Sequence, residues 1–403
     1  ARLLTPQRIS YAWLLGGSLW LAWLVTILLS PGNLDLIGKP IGTDYLQFYV
    51  AGETLQSGRE SSLYDFSFQR EKELEIVQNE FEGYYLYLYP PFFAWLFVPF
   101  SLISYKWSFL LWSLVGLAGL WFGLQLLDVK HPERKFAWAL TFFPVFASIS
   151  FGQNSLLSLF LFCLVYALWR RRYGFWAGLA ASLMLFKPQI ILGLGLLWLL
   201  EWKRDWRSLI GLTAGGGVLA GLTFGLLPLA SQDYLDVVRK ILPGFTTWDG
   251  FPYHNAHMLR AFFTLLIPEL HMLVDVLSYS LMLLGGLAFI WLWKNHRVQP
   301  DLLFSMMICL TIWSIPYVMV YDWVLLLIPA VLLWEHFPRP RRQLRVLFAV
   351  LWLTILISGP LTFAQKAVLP IAVQISVPIL AWVLIMCYLV LKDNHVEEKI
   401  SAV

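Results

Sequence analysis

Of 403 residues, 59% are apolar and only 13% charged, and the formal net charge is +4. With a mean hydropathy of +0.67, this composition excludes a water-soluble globule and implies an integral membrane protein. The apolar runs are continuous, without the alternation that barrel strands need, so a transmembrane β-barrel is excluded and an all-α polytopic protein remains.

The first run, Tyr11 to Leu29, approaches the roughly 20 residues that cross a hydrocarbon core. It carries Trp13, Trp20 and Trp23 and lacks a small-x-small cleavage site, so it reads as a retained anchor. Residues 31–106 follow as a long polar and aromatic connection. Within it, Tyr45 to Ser57 predicts a helix ended by Gly58. Asp65 is placed to cap a second helix with Arg70, Leu74, Val77 and Phe81 at helical spacing, and Tyr89-Pro90-Pro91 opens a third. Asp44 stands just before the first of these helices, and two readings are open for it. With Gln47 at N3 it would form a capping box worth about 1 kcal/mol. Alternatively it is a carboxylate kept at the membrane boundary for chemistry, held ionised by the helix N-terminus.

Trp107 to Leu127, Leu209 to Leu227, Leu273 to Trp293 and Val373 to Leu391 are further runs of membrane length. Residues 136–150, 153–169, 175–186 and 188–201 are shorter and bounded by Pro, Gly or polar clusters, and residues 91–103 suit a surface or re-entrant helix. This division gives about 12 transmembrane helices. Short connections on one side then hold 19 of the 29 Lys and Arg residues, as the positive-inside rule requires. Both termini are thereby expected in the cytoplasm, with residues 31–106 and 230–257 as two extracytoplasmic loops. Counting 91–103 as a crossing would send Arg170-Arg171-Arg172 and the Arg339 to Arg345 cluster outside, and is rejected. Those clusters are topology anchors first and lipid-headgroup sites second. Cys163, Cys309 and Cys387 each lie in an apolar run as packing residues. The expectation is one integral-membrane domain over residues 1–403, in a bacterial plasma membrane.

Several polar residues hold uneasy positions on the same, outer side. Lys187 lies between two apolar segments, where an ammonium costs several kcal/mol unless it snorkels to water or meets an anion; a lipid phosphate would serve. Gln153 and Asn154 follow Gly152, and Tyr321 and Asp322 follow Pro316; each pair reads either as helix caps or as the lining of a shared cavity. His254, His257 and Arg260 enter the next helix and could donate to phosphate oxygens. The His254-x-x-His257 spacing would suit a metal, but neither a Glu nor a third His stands nearby, so no metal and no cofactor are expected. Tyr84, Tyr85, Tyr87 and Tyr89 read as an interfacial aromatic belt or as stacking partners for sugar.

Six short motifs then carry a family resemblance. They are Gly42-Thr43-Asp44-Tyr45-Leu46-Gln47-Phe48-Tyr49-Val50-Ala51-Gly52, Leu63-Tyr64-Asp65, Tyr89-Pro90-Pro91-Phe92, Gly152-Gln153-Asn154-Ser155, Lys187-Pro188-Gln189 and Tyr321-Asp322-Trp323. Their order resembles that of the membrane-embedded GT-C glycosyltransferases, and most closely glycosyltransferase family 87, the polyprenol-phosphate-mannose-dependent α-mannosyltransferases. The resemblance runs from residue 42 to about 330. It implies a GT-C type fold and inverting transfer of a sugar, by the family mannose, from a polyprenyl-phosphate-linked donor to an acceptor hydroxyl at the outer face. It assigns the first-loop Asp44 as catalytic base, with Lys187, His254, His257 and Arg260 on the donor phosphate and Gln153, Asn154, Tyr321, Asp322 and Tyr89 lining the cavity. Where relatives carry an Asn-Gln-Ser type run, this chain has His254-Asn255-Ala256-His257, so its substrate preference is expected to differ.

The implied partners are a lipid-linked sugar donor, a glycolipid or glycan acceptor and membrane lipids, with no nucleic acid. Two rival classes share this composition: a lipid or sugar transporter or flippase, and a non-catalytic membrane subunit of a glycan-assembly complex. Transporters commonly show two related halves. No second segment like that around Asp44 occurs in the C-terminal half.

Overall fold

The structure, a computed structural model, describes residues 5–248, 250–295, 298–336 and 342–385. Among these residues the backbone is helical, with only two isolated β-bridges, Leu34 with Pro40 and Ala256 with Met319. Five helices are long and apolar enough to cross a membrane: Gln7–Leu29, Tyr105–Leu126, Trp202–Leu226, His271–Asn295 and Val346–Val368. The first four coincide with the expected runs. The run expected from Val373 to Leu391 is seen as the short helix Ser376–Ile385, and its remainder lies outside the described residues. So do Cys387, Arg339 and Arg341, together with the side chains of Arg342 and Arg345. The long apolar helices make this an integral membrane protein.

Between them lie shorter apolar helices, among them Ser155–Arg170, Gly174–Phe186, Pro188–Leu200 and Pro300–Ser314. Their breaks follow local chemistry. Residues 132–150 form two helices, Pro132–Leu140 and Phe143–Ser150, each with proline in its first turn, where its missing N–H costs nothing. The 16 residues of Ser155–Arg170 rise about 24 Å, less than the ~30 Å of a hydrocarbon core.

Residues 31–106 pack as expected from their signals. The Tyr45–Gln56 helix stops before Gly58, whose φ of +71° favours glycine. Asp65 caps Phe66–Val77, its Oδ1 accepting from the amides of Ser67 (2.9 Å) and Phe68 (3.2 Å). Pro91–Ser101 is one of the shorter apolar helices. Aromatic rings hold this layer together and to the bundle: Phe48 stacks on Phe97 within it at 4.7 Å, and Phe93 stacks on Phe186 of the bundle at 4.3 Å. The two loop regions meet as well, with Tyr64 against Tyr234 and Phe66 against Trp248. A cavity of about 350 Å³ lies between them, lined by Ser61, Tyr64, Asp65, Asp233, Asp236 and Lys240 among others.

Helix Gly174–Ser182 approaches Trp202–Leu226 so closely that a Cβ on Gly178 would lie 1.9 Å from the Ser208 carbonyl oxygen, and one on Gly211 2.0 Å from that of Phe175. Small residues at such crossings let helices pack in lipid without a hydrophobic drive between them.

Candidate active site

Two glycine turns and one aromatic ring build the site. Gly42 (φ +63°) precedes Asp44, and Gly152 (φ +68°) precedes Gln153. A Cβ on Gly42 would lie 2.3 Å from the Phe109 ring, and one on Gly152 2.4 Å from the Cβ of Tyr45. Only glycine fits these approaches, and they press the two turns together. The Tyr45 amide donates to the Phe151 carbonyl (3.1 Å), and Trp112 Nε1 donates to the Gly152 carbonyl (3.0 Å). Tyr45 is itself held by Ser108 at 2.5 Å.

Asp44 makes no side-chain cap for the helix it precedes, so the capping-box reading with Gln47 does not hold. The reason is local. The backbone of Asp44 is helical (φ −77°, ψ −13°), not extended as a cap requires, and its carboxylate instead accepts from Gln153 Nε2 at 2.8 Å. Burial raises the Asp44 pKa to about 6, against the opposing pull of the Gln153 hydrogen bond and of Lys187; the negative charge of Asp322 adds to the rise.

Lys187 and Asp322 form a buried pair next to it. Lys187 interrupts two short helical segments, with Pro188 opening the second. Its Nζ lies 2.7 Å from Asp322 Oδ1 and 5.3 Å from the centre of the Tyr321 ring, and its side chain is only 5% exposed. Ser155 donates to the same Asp322 oxygen at 2.7 Å, and Asp322 Oδ2 takes the Met319 amide at 3.2 Å. Asp322 thus closes its own helical turn and also neutralises Lys187. Ser155 was legible only as the last letter of the Gly152 motif; its place between two charges was not.

Tyr89 joins the cluster, its hydroxyl donating to Gln153 Oε1 at 3.4 Å. Tyr84 is exposed, whereas Tyr87 is buried against Phe48. Asn154 is fully buried, and neither amide atom of its side chain has a protein partner. The structure therefore gathers Asp44, Gln153, Asn154, Lys187, Tyr321, Asp322 and Tyr89 around the N-terminus of the Ser155–Arg170 helix.

His254, His257 and Arg260 are differently engaged. Arg260 Nε pairs with Asp275 at 2.8 Å, and its Nη1 donates to Thr246. His257 Nδ1 contacts Ser376 Oγ at 2.6 Å, and its ring meets Trp323 edge-on. Burial pushes the His257 pKa down to about 3, so the ring is neutral. His254 packs on Phe363. The segment is still tied to the site's backbone, since the Val320 amide donates to the Asn255 carbonyl and Trp323 Nε1 to the His257 carbonyl. These three side chains do not converge on one point.

In chemical terms the cluster offers a carboxylate that titrates near neutrality, an ammonium paired with a second carboxylate and acting on the first through its charge, and a buried amide. No curated protein and no solved structure matches the chain. The sequence profile of glycosyltransferase family 87 matches residues 87–316, which include Gln153, Asn154 and Lys187 and leave Asp44 and Asp322 on either side. That match spans more than half of the chain, and the chain belongs to glycosyltransferase family 87.

Proposed function

We propose that the chain is an inverting transferase that moves a sugar, mannose by the family, from a polyprenyl phosphate to an acceptor hydroxyl on the extracytoplasmic face. Within it, Asp44 is the general base. It takes the proton from the acceptor hydroxyl as that oxygen bonds to C1 of the sugar, while the C1–oxygen bond to phosphate breaks and the phosphate leaves with the electron pair. Phosphate departs without a strong acid, so one carboxylate is sufficient. The observation that carries this reading is that Asp44 is released from helix capping and held by Gln153 beside Lys187. A pKa near 6 makes it a stronger base than an ordinary aspartate while leaving it ionised at neutral pH.

Lys187 is placed to meet the donor phosphate, exchanging part of its contact with Asp322 for the new anion. Tyr321 and Tyr89 wall the sugar, the prenyl tail lies between helices, and the short helices complete about twelve crossings with both termini in the cytoplasm. His257 and His254 offer the phosphate neutral ring donors, and Arg260 lies near the rim, held by Asp275. Metal is not required on a single phosphate faced by an ammonium. The test is transfer from polyprenyl-phosphate-mannose by purified protein. Asp44→Asn should lower the rate by about 10² to 10⁴. An Asp44→Asn protein at wild-type rate removes the base assignment. A wild type that transfers nothing yet moves lipid across vesicles establishes the transporter instead.

A further inference from the structure

Asn154 is a fully buried amide placed between two engaged neighbours. On one side Gln153 holds Asp44 at 2.8 Å; on the other Ser155 holds Asp322 at 2.7 Å, beside Lys187. Its backbone is fixed, with the amide donating to Gln153 Oε1 (3.3 Å) and the carbonyl accepting from the Ser158 amide (3.1 Å). The side chain alone is open: it makes no cap for the Ser155–Arg170 helix, and neither Oδ1 nor Nδ2 has a protein partner. The hydroxyl of Tyr89, which donates to Gln153, is the polar group nearest the Asn154 amide and interacts with it weakly, short of a well-formed hydrogen bond.

A buried polar group without a partner is costly, and an amide leaves both a donor and an acceptor unmet. The other buried side chains with an unmet atom, such as Trp198, Ser208, His257 and Gln374, have one such atom each. Among the described residues Asn154 combines full burial and two such atoms with a position in the chain between Gln153, which holds Asp44, and Ser155, which meets Asp322. One N–H donor beside one carbonyl acceptor is the complement of neighbouring sugar hydroxyls, each of which donates and accepts.

We infer that Asn154 is the residue that reads the transferred sugar, binding hydroxyls of its ring while Lys187 takes the phosphate. This rests on the glycosyl-transfer reading and adds to it the division of the donor between two residues. It also gives the amide a role in specificity, because a site built to hydrogen-bond a hydroxyl rejects an analogue lacking it far better than an apolar pocket does.

The test is equilibrium binding of polyprenyl-phosphate-mannose, polyprenyl-phosphate-glucose and bare polyprenyl phosphate to the purified full chain in lipid nanodiscs. Asn154→Leu should weaken the preferred sugar-bearing donor by about 10- to 100-fold and leave the bare phosphate within about 2-fold. Asn154→Ser, which keeps a polar group without adding charge, should fall between, and covers failure of the first variant to fold. On the wild type, a mannose donor lacking one ring hydroxyl should lose about 10-fold, and that loss should vanish in Asn154→Leu.

Equal weakening of sugar-bearing and bare lipids would make Asn154 structural and overturn the inference. So would no weakening of either, as when a bound water satisfies the amide, and so would a wild type that binds sugar-bearing donors no better than bare phosphate. Selective sugar binding without transfer would instead remove the catalytic reading and leave Asn154 in its role.

Discussion

The two ends of the helical bundle spend their charges differently. At one end, Lys135 pairs with Glu335, Arg170 with Asp301 at 2.8 Å, and Arg204 with Asp205 at 3.3 Å. Trp169 also donates to Asp205, and Trp293 to Glu201. The first two pairs join separate helices, the third lies within one helix, each of the three has a cation for its carboxylate, and Arg170 remains 41% exposed. At the other end, Lys187 pairs with Asp322 under cover, and Asp44, held by Gln153, feels the same ammonium only through its charge. A one-to-one pair whose cation keeps partial contact with water ties elements together at modest energetic cost. An unmatched, buried trio holds one carboxylate at the edge of protonation, as proton transfer requires.

Breaking each end should show the contrast. Lys187→Met leaves Asp322 buried without its cation and should cost about 3–5 kcal/mol of stability, read by thermal unfolding in detergent. Lys187→Met with Asp322→Leu should recover most of that stability but not transfer. Gly152→Ala drives a Cβ into Tyr45 at a positive φ and should cost about 2 kcal/mol or more, with loss of activity as the Gln153 turn is displaced. Gln153→Leu removes the hydrogen bond that favours the ionised form of Asp44, so the acid limb of the activity profile should move to higher pH by about one unit with the fold intact. Lys135→Ala, at the other end, should change stability by no more than about 1 kcal/mol and leave kcat unchanged. Equal costs at both ends would erase the distinction.

Much of this division was legible in the sequence. Composition gave the membrane class, and Pro, Gly and polar interruptions marked the helix ends that became the site. Lys187 and Asp322 stood out because charge is rare inside apolar runs. Their pairing was not visible, since 135 residues of chain separate them and only packing brings them together. Asp44 was placed correctly in sequence but with the wrong local partner. Gln47, three residues on, satisfied the capping pattern, while the actual donor, Gln153, lies 109 residues away and arrives through the approach of two glycine turns. The His254, His257 and Arg260 cluster shows the converse. Nearness in sequence suggested phosphate binding by all three, and what it could not show is the separate protein contact each makes, with Phe363, Ser376 and Asp275.

The central claim is that Asp44 acts as the base from a raised pKa. The pH dependence of kcat/KM for sugar transfer tests it most directly, because that ratio reports ionisations of the free enzyme. Since the carboxylate must be ionised to accept a proton, activity should be full above about pH 6 and fall tenfold per unit below it. The limb should be absent from the residual activity of Asp44→Asn. A wild-type limb near pH 4, or one near pH 6 that persists in Asp44→Asn, would contradict the account.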